Sequence, residues 1–232
     1  MTLTDNSKNV DAVILVGGKG TRLRPLTVNT PKPMLPTAGH PFLTHLLARI
    51  KAAGITHVVL GTSFKAEVFE EYFGDGSEMG LEIEYVVEDQ PLGTGGGIRN
   101  VYDKLRHDNA IVFNGDVLSG ADLSSILDTH REKEADLTMH LVRVANPRAF
   151  GCVPTDEDGR VSEFLEKTED PPTDQINAGC YVFKKELIEQ IPAGRVVSVE
   201  RETFPQLLEE GKRVFGHVDA SYWRDMGTPA DF

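Results

Sequence analysis

The stretch that decides the fold is Asp11-Ala-Val-Ile-Leu-Val16, followed without a break by Gly17-Gly-Lys-Gly-Thr-Arg22. The apolar run is typical of a β-strand buried on both faces, as in a parallel sheet. Glycines at its carboxyl end let the backbone approach an anion closely and point several N–H groups at it. In open α/β sheets, ligands bind at this end of the strands. The stretch therefore predicts an α/β fold whose ligand site includes this loop.

Apolar spacing along the rest of the chain predicts further strands and helices. Helices are predicted at residues 42–53, 65–73, 96–105, 185–190 and 204–210. Strands are predicted at residues 57–61, 81–87, 110–113, 136–144, 151–155, 161–165, 178–183 and 213–218. The alternation in the first half is typical of βαβ units, whereas the second half is richer in strands. We expect a Rossmann-like α/β fold: a mixed, mostly parallel central sheet with helices on both faces and a smaller lobe that is not a separate domain.

Parallel strands bring the loops at their carboxyl ends to one edge of the sheet. Three loops are in this position: residues 17–24, 88–97 and 114–116. We expect them to converge on one ligand.

The composition excludes several classes of protein. The chain has 232 residues and a formal net charge of −12 without a basic stripe, so we expect no binding to nucleic acid. Residues 1–10 are polar, unlike a signal peptide, and no apolar run reaches the roughly 18 residues of a membrane span. Cys152 and Cys180 are too few for a disulfide framework and are expected to be buried thiols. These features predict a cytoplasmic protein that does not bind membranes.

Positive charge accumulates around the glycine-rich loop. Lys19, Arg22 and Arg24 lie within or just after it, and Lys32 follows in Pro31-Lys-Pro33. The loop has neither the G-x-x-x-x-G-K-[ST] spacing of a P-loop nor the G-x-G-x-x-G spacing of a dinucleotide site. A glycine-rich turn with solvated cations is the plain alternative. The density of cations after a buried strand favours a phosphate-binding site instead.

Two carboxylates are candidates for a magnesium site. Asp116 ends a predicted strand behind Asn114-Gly115, a position where an aspartate is often a turn residue or a helix N-cap. Asp225, in Trp223-Arg-Asp-Met-Gly-Thr228, is the second candidate. Mg²⁺ prefers such oxygen ligands together with substrate phosphates. Two carboxylates opposite a phosphate loop would therefore indicate a metal-assisted reaction.

Two later segments also carry groups that bind polar ligands. Glu166-Lys167 is either a solvated charge pair or a site where the lysine holds a phosphate and the glutamate accepts hydrogen bonds from hydroxyl groups. Asn177-Ala-Gly179 would supply a side-chain amide and a close backbone approach. Taken alone, neither segment outweighs its plain alternative.

Taken together, these segments resemble the sugar-1-phosphate nucleotidylyltransferase family. The resemblance covers the chain from about residue 11 to its end, with the motifs in the order of the family. They are Val16-Gly-Gly-Lys-Gly-Thr-Arg-Leu-Arg-Pro-Leu-Thr27 with Pro31-Lys-Pro33, Pro91-Leu-Gly-Thr-Gly95, Asn114-Gly-Asp116, Glu166-Lys167, Ile176-Asn-Ala-Gly179 and Trp223-Arg-Asp-Met-Gly-Thr-Pro229. Within the family, the sequences of the first two motifs are most similar to those of mannose-1-phosphate guanylyltransferases, especially actinobacterial ones. The resemblance implies GTP and mannose-1-phosphate as substrates, Mg²⁺ as cofactor, and a possible homo-oligomer.

The resemblance also implies a role for each matching residue. Nucleotide-binding residues would be Gly17, Gly18, Gly20, Thr21, Gly93 and Thr94. The sugar, bound by the smaller lobe, would contact Gly115, Gly151, Glu166, Asn177, Gly179 and Glu200. Catalytic residues would be Arg22, Lys32, Asp116 and Lys167. The metal ligands would be Asp116 and Asp225.

The sequence departs from the family pattern in two places. Thr168 follows Glu166-Lys167, where the family has proline, a change that alters loop stiffness more than chemistry. Close relatives continue into a left-handed β-helix domain, so residues 1–232 are expected to be the catalytic domain alone. The alternatives are a glucose-1-phosphate uridylyl- or thymidylyltransferase, and a non-catalytic nucleotide or sugar-phosphate sensor. A Rossmann oxidoreductase is excluded because the glycine-rich loop of this chain lacks the glycine spacing of that class.

Overall fold

A computed structural model describes residues 9–232. The prediction about the polar segment 1–10 lies outside the described residues except for its last two positions. Within residues 9–232 no helix combines the length and the apolar character needed to cross a bilayer. Cys152 and Cys180 are both buried free thiols, as predicted.

The described chain contains thirteen strands and six α-helices. The strands are β1 (Val10–Leu15), β2 (Pro36–Thr37), β3 (His40–Pro41), β4 (His57–Thr62), β5 (Glu82–Val87), β6 (Asn109–Asn114), β7 (Val117–Ser119), β8 (Leu137–Arg143), β9 (Gly151–Cys152), β10 (Leu165–Glu166), β11 (Gln175–Lys184), β12 (Val214–Asp219) and β13 (Trp223–Asp225). The helices are α1 (Phe42–Ala52), α2 (Ala66–Phe73), α3 (Gly93–Asn100), α4 (Leu123–Glu132), α5 (Lys185–Glu189) and α6 (Phe204–Glu209). A π-helical turn at Val199–Thr203 leads into α6.

Nine of these strands form one mixed sheet in the described part of the chain. Its main path has the order β10-β9-β11-β6-β1-β4-β5, and β8 joins it through β11 and carries β12. The strands β6, β1, β4 and β5 run parallel, whereas β11 runs antiparallel to β6. The prediction of a mixed α/β sheet is confirmed. The strands of the second half extend this sheet through β11.

Alternation along β1 builds a core on each face of the sheet. Ala12 and Ile14 pack with residues of α1, α2 and α4 on one face. Val13 packs with residues of α3, α5 and α6 on the other. Because successive side chains of a strand point to opposite faces, one fully buried strand serves both cores. Helices on both faces were predicted and are observed.

The helix predicted at residues 96–105 has different bounds in the structure. It begins at Gly93, three residues earlier, and ends at Asn100, before a separate 3₁₀ turn at Tyr102–Lys104. Because glycine is unfavourable inside a helix, the glycines of this segment argued against a helix that begins before residue 96. The close approach of Val197 requires these glycines, since a Cβ on Gly95 would lie 2.8 Å from the Val197 side chain.

Candidate active site

The three loops predicted to converge line one cavity of about 490 Å³ at the carboxyl ends of the parallel strands. The prediction of their convergence is confirmed. The predicted site residues that line the cavity are Gly17, Gly18, Gly20, Thr21, Arg22, Lys32, Gly93, Thr94, Gly115 and Asp116. An opening of this size accommodates a small organic ligand.

The glycine-rich loop is tied down on both sides of the cavity wall. The Ser63 hydroxyl donates to the Gly17 carbonyl, and the Thr27 hydroxyl donates to the Gly20 carbonyl at 2.6 Å. Gly20 has a φ of 57°, and a Cβ there would lie 3.0 Å from the Thr27 methyl group. A side chain would be strained at this position. A Cβ on Gly18, by contrast, would meet nothing within 4 Å, so the space beside Gly18 is open to a ligand.

Lys32 and Asp116 form an ion pair inside the cavity. The Lys32 ammonium lies 2.8 Å from Asp116 Oδ2, and the side chains are 10% and 38% exposed. Lys32 is held by a 3₁₀ turn, Lys32–Met34, that packs against α1. A buried ammonium beside the phosphate loop is well placed to neutralise a phosphate.

Asp225 is brought next to Asp116 by a short ladder between β7 and β13. Asp225 pairs with Val117 in this ladder, and the Met226 N–H donates to the Asp116 carbonyl at 3.0 Å. Burial, and then the negative charge of Asp116, raise the pKa of the Asp225 carboxyl, while Lys32 and Arg22 oppose the shift.

The carboxylate pair fits a bound Mg²⁺. Asp225 Oδ1 is buried and has no hydrogen-bond partner, which is costly unless a ligand satisfies it. No group of three or more His, Cys, Asp or Glu side chains within residues 9–232 could hold a metal by itself. Two carboxylates with phosphate oxygens completing the shell is the usual arrangement for Mg²⁺.

A second group of predicted residues lies beside this cavity. Glu166 pairs with Gly151 across β9 and β10, and a Cβ on Gly151 would lie 2.9 Å from Glu166 Oε2. Burial raises the pKa of the Glu166 carboxyl, and the charge of Glu200 raises it further. The structure thus brings Glu166, Gly151 and Glu200 together. Lys167 is 63% exposed, with its ammonium 4.0 Å from Glu166 Oε1.

A bulge in β11 shapes the wall between the two groups. The register of β11 against β8 shifts between Asn177 and Tyr181, where Gly179 has a φ of 79°. Asn177 Nδ2 donates to the Tyr181 hydroxyl at 2.6 Å, and Asn177 Oδ1 accepts from the Gly179 N–H at 2.9 Å. A Cβ on Gly179 would lie 2.9 Å from Asn114 Nδ2. The bulge places Gly179 against Asn114, at the end of the strand that leads to Asp116.

Sequence reasoning missed Glu88 as a site residue. It lines the cavity beside Pro91 and Gly93, and burial raises the pKa of its carboxyl. The residue stands at the start of the second predicted loop, directly after β5. Its position could have identified it, because a charged residue at the carboxyl end of a parallel strand lies where ligands bind.

Comparison with known proteins identifies the family. The model of a family described as nucleotidyl transferase matches residues 11–232. The chain belongs to the nucleotidyl transferase family. The match includes every predicted site residue of this nucleotidyl transferase, from Gly17 to Asp225.

Individual relatives agree with this assignment. The chain is 73% identical over 224 residues to mannose-1-phosphate guanylyltransferase of Mycobacterium tuberculosis, covering 96% of the chain and 62% of the relative. It is 35% identical to D-glycero-alpha-D-manno-heptose 1-phosphate guanylyltransferase of Aneurinibacillus thermoaerophilus, covering 96% and 95%. The structure of HddC from Yersinia pseudotuberculosis, complexed with GMP-PN, superposes with a TM-score of 0.82 at 30% identity and covers 96% of both chains. The chain spans about three fifths of the length of most mannose-1-phosphate guanylyltransferases it matches.

Proposed function

We propose that the chain catalyses the joining of mannose-1-phosphate and GTP to give GDP-mannose and pyrophosphate. The observation that carries the reaction class is the single cavity that holds the glycine-rich loop, Arg22 and the Lys32–Asp116 pair. Cations that face a phosphate loop beside two carboxylates suit phosphoryl chemistry. The 73% identity to the mannose-1-phosphate guanylyltransferase of Mycobacterium tuberculosis supports the choice of substrates.

Guanine suits the Glu88 end of the cavity. Its N1–H and its exocyclic amino group are adjacent donors, and an ionised carboxylate accepts two parallel hydrogen bonds. Adenine lacks this pair of donors. A half-buried carboxylate with a raised pKa gains more from such a partner than a solvated one, because it has already lost part of its hydration. Glu88 therefore supports a preference for GTP over ATP.

The reaction needs alignment and charge neutralisation more than proton transfer. A phosphate oxygen of the sugar phosphate attacks the α-phosphorus of GTP in line, the bond to the β-phosphate oxygen breaks, and pyrophosphate leaves with that electron pair. The attacking oxygen is already an anion, so no general base is required. Lys32 neutralises the α-phosphate, and Arg22 stabilises charge on the leaving pyrophosphate. Mg²⁺ held by Asp116 and Asp225 would supply further neutralisation of the phosphates.

The acceptor sugar is assigned to the group of residues beside the cavity. Glu166 and Glu200 offer carboxylate oxygens for sugar hydroxyls, and the side-chain amide of Asn177 and the backbone at Gly179 would complete the sugar site. Lys167 is exposed at the edge, where its flexible side chain reaches a phosphate as a point charge. This arrangement supports a sugar phosphate as acceptor.

Pyrophosphate release tests the proposal. Purified protein with Mg²⁺ and mannose-1-phosphate is given GTP, UTP, dTTP, ATP or CTP in turn, and glucose-1-phosphate serves as the comparison acceptor. We expect release with GTP and mannose-1-phosphate, and its loss in Asp116→Ala. Release with UTP or dTTP and glucose-1-phosphate alone would keep the reaction class but overturn the substrates. If no pair of substrates gives pyrophosphate, the remaining interpretation is a non-catalytic nucleotide or sugar-phosphate sensor.

A further inference from the structure

Thr94 lies on the nucleotide side of the cavity, but its hydroxyl is bonded to the acceptor side. Thr94 Oγ1 donates to Glu200 Oε2 at 2.8 Å and accepts from the Val199 N–H at 2.9 Å. A hydroxyl group has one proton to donate. That proton is directed at a residue of the acceptor group and not at a nucleotide.

The segment that carries Glu200 is fastened along the start of α3. The Val197 carbonyl accepts from the Gly95 N–H at 2.8 Å and from the Gly96 N–H at 3.2 Å, and the Val197 N–H donates to the Leu92 carbonyl at 2.9 Å. A Cβ on Gly93 would lie 2.7 Å from the Val197 carbonyl oxygen. Because backbone contacts backbone here, the segment that carries Glu200 is closely packed against the start of α3.

Glu200 is oriented through one of its two oxygens. Oε2 accepts from Thr94 Oγ1 and, at 3.1 Å, from Ser198 Oγ. Among the hydrogen bonds within residues 9–232, both that reach this carboxylate end on Oε2, so Oε1 is left to accept from a ligand. The carboxylate is near Glu166, whose pKa it raises. Its free oxygen therefore belongs to the acceptor group.

We propose that Thr94 is a positioning residue for the acceptor: its hydroxyl holds Glu200 in the orientation that binds the sugar of the sugar phosphate. The inference rests on the proposed function, because it takes Glu200 as a sugar ligand. The nucleotide loop would then set the geometry of both substrates, one through its backbone and the other through this single hydroxyl.

Two substitutions at Thr94 test the hydroxyl separately from the packing. Thr94→Val keeps the shape and removes the bond to Glu200, whereas Thr94→Ser keeps the hydroxyl and removes a methyl group. We expect Thr94→Val to raise the KM for mannose-1-phosphate about tenfold, the scale of one hydrogen bond to a charged group. The KM of Thr94→Val for GTP should stay within about twofold of the wild-type value. Thr94→Ser should keep the wild-type KM for mannose-1-phosphate.

Combination with Glu200→Ala, which removes the acceptor of this hydrogen bond, adds a second readout. If Thr94 acts through Glu200, Thr94→Val should raise the KM for mannose-1-phosphate much less in a Glu200→Ala background than in the wild type. This comparison, like that with Thr94→Ser, is made on variants whose thermal unfolding shows that they are folded.

Three outcomes would overturn the inference. The first is a rise in the KM for GTP alone, which would make Thr94 a nucleotide ligand. The second is an equal effect of Thr94→Ser and Thr94→Val, which would assign the effect to packing. The third is full additivity with Glu200→Ala. A wild-type protein that releases no pyrophosphate with any substrate pair would instead overturn the proposed function, and the inference would fall with it.

Discussion

Replacing Lys32 by methionine tests the electrostatic basis of the proposed reaction. The change removes one positive charge, keeps much of the volume of the side chain, and leaves the glycine-rich loop untouched. Lys32 is only 10% exposed and lies 2.8 Å from Asp116 Oδ2. Water therefore cannot fully take the place of its ammonium group, and the phosphate under attack would lose the cation that the proposed mechanism assigns to it.

The size of the effect follows from the position of the charge. At a separation of about 4 Å and an effective dielectric constant of about 20, two unit charges interact by about 4 kcal/mol. At about 1.4 kcal/mol per tenfold change in rate, this is an upper limit of about a thousandfold. Loss of one preorganised donor in other active sites costs a hundredfold or more. We expect kcat/KM to fall between about a hundredfold and a thousandfold.

The folded state should tolerate this substitution. Asp116 remains 38% exposed, so water can solvate its carboxylate once the partner is gone. We expect the free energy of unfolding to change by about 1 kcal/mol or less. A measurement of thermal unfolding therefore separates the catalytic effect from a loss of structure.

The assay measures pyrophosphate release at saturating Mg²⁺, with Lys19→Met as the matched control. Lys19 carries the same charge and lies on the glycine-rich loop, but it is exposed and is not among the residues that line the cavity. Its substitution should change kcat/KM by less than about threefold. A Lys32→Met variant that retains kcat/KM within tenfold of the wild type would contradict the role proposed for Lys32. Equal impairment of Lys19→Met would contradict it as well.

Three further substitutions probe the metal, the base and the buried core. Asp225→Asn should raise the Mg²⁺ concentration for half-maximal activity more than tenfold, whereas Asp231→Asn, at a half-buried position on the same segment, should raise it less than twofold. Glu88→Gln should lower kcat/KM for GTP about tenfold and narrow the GTP-to-ATP preference. Asp89→Asn, the exposed neighbour, should leave both unchanged. Burial lowers the pKa of His130 to about 4, so below the unfolded pKa of about 6.5 the unfolded chain binds the proton more readily. Stability is therefore lost as the pH falls, and urea unfolding should show the wild type losing about 2 kcal/mol more than His130→Gln between about pH 7.5 and pH 5.

Local patterns were sufficient for the parallel half of the sheet. β1 was readable because every residue from Ala12 to Ile14 is apolar and fully buried. The glycines that follow it could be assigned to a cavity wall because the carboxyl end of such a strand is where ligands bind. The helix α4 was missed although its start carries a recognisable signal, since Asp122 accepts from the Ser124 N–H as an N-cap.

Contacts between distant residues set the limit of what the sequence could predict. β7 and β13 have three residues each, too few for a periodic pattern, yet their pairing brings Asp225 to Asp116. Thr94 and Glu200 are 106 positions apart, and nothing local to either residue shows that they meet. The sequence indicated Asp116 and Asp225 as candidate metal ligands, and resemblance to a family implied Glu200, whereas the geometry of these residues required the folded chain.

The ten-residue strand β11 (Gln175–Lys184) has a consequence for dividing the chain into pieces. Its last five residues pair with β6, and residues 175–177 and 181–183 pair with β8. A break in the connection between β8 and β9 would therefore give two fragments with complementary missing edges. Neither fragment could complete the sheet alone, because β11 would be in one fragment and its neighbours β6 and β8 in the other. Turnover would then report the reassociation of the two fragments, which makes this connection a natural place for a split-enzyme sensor.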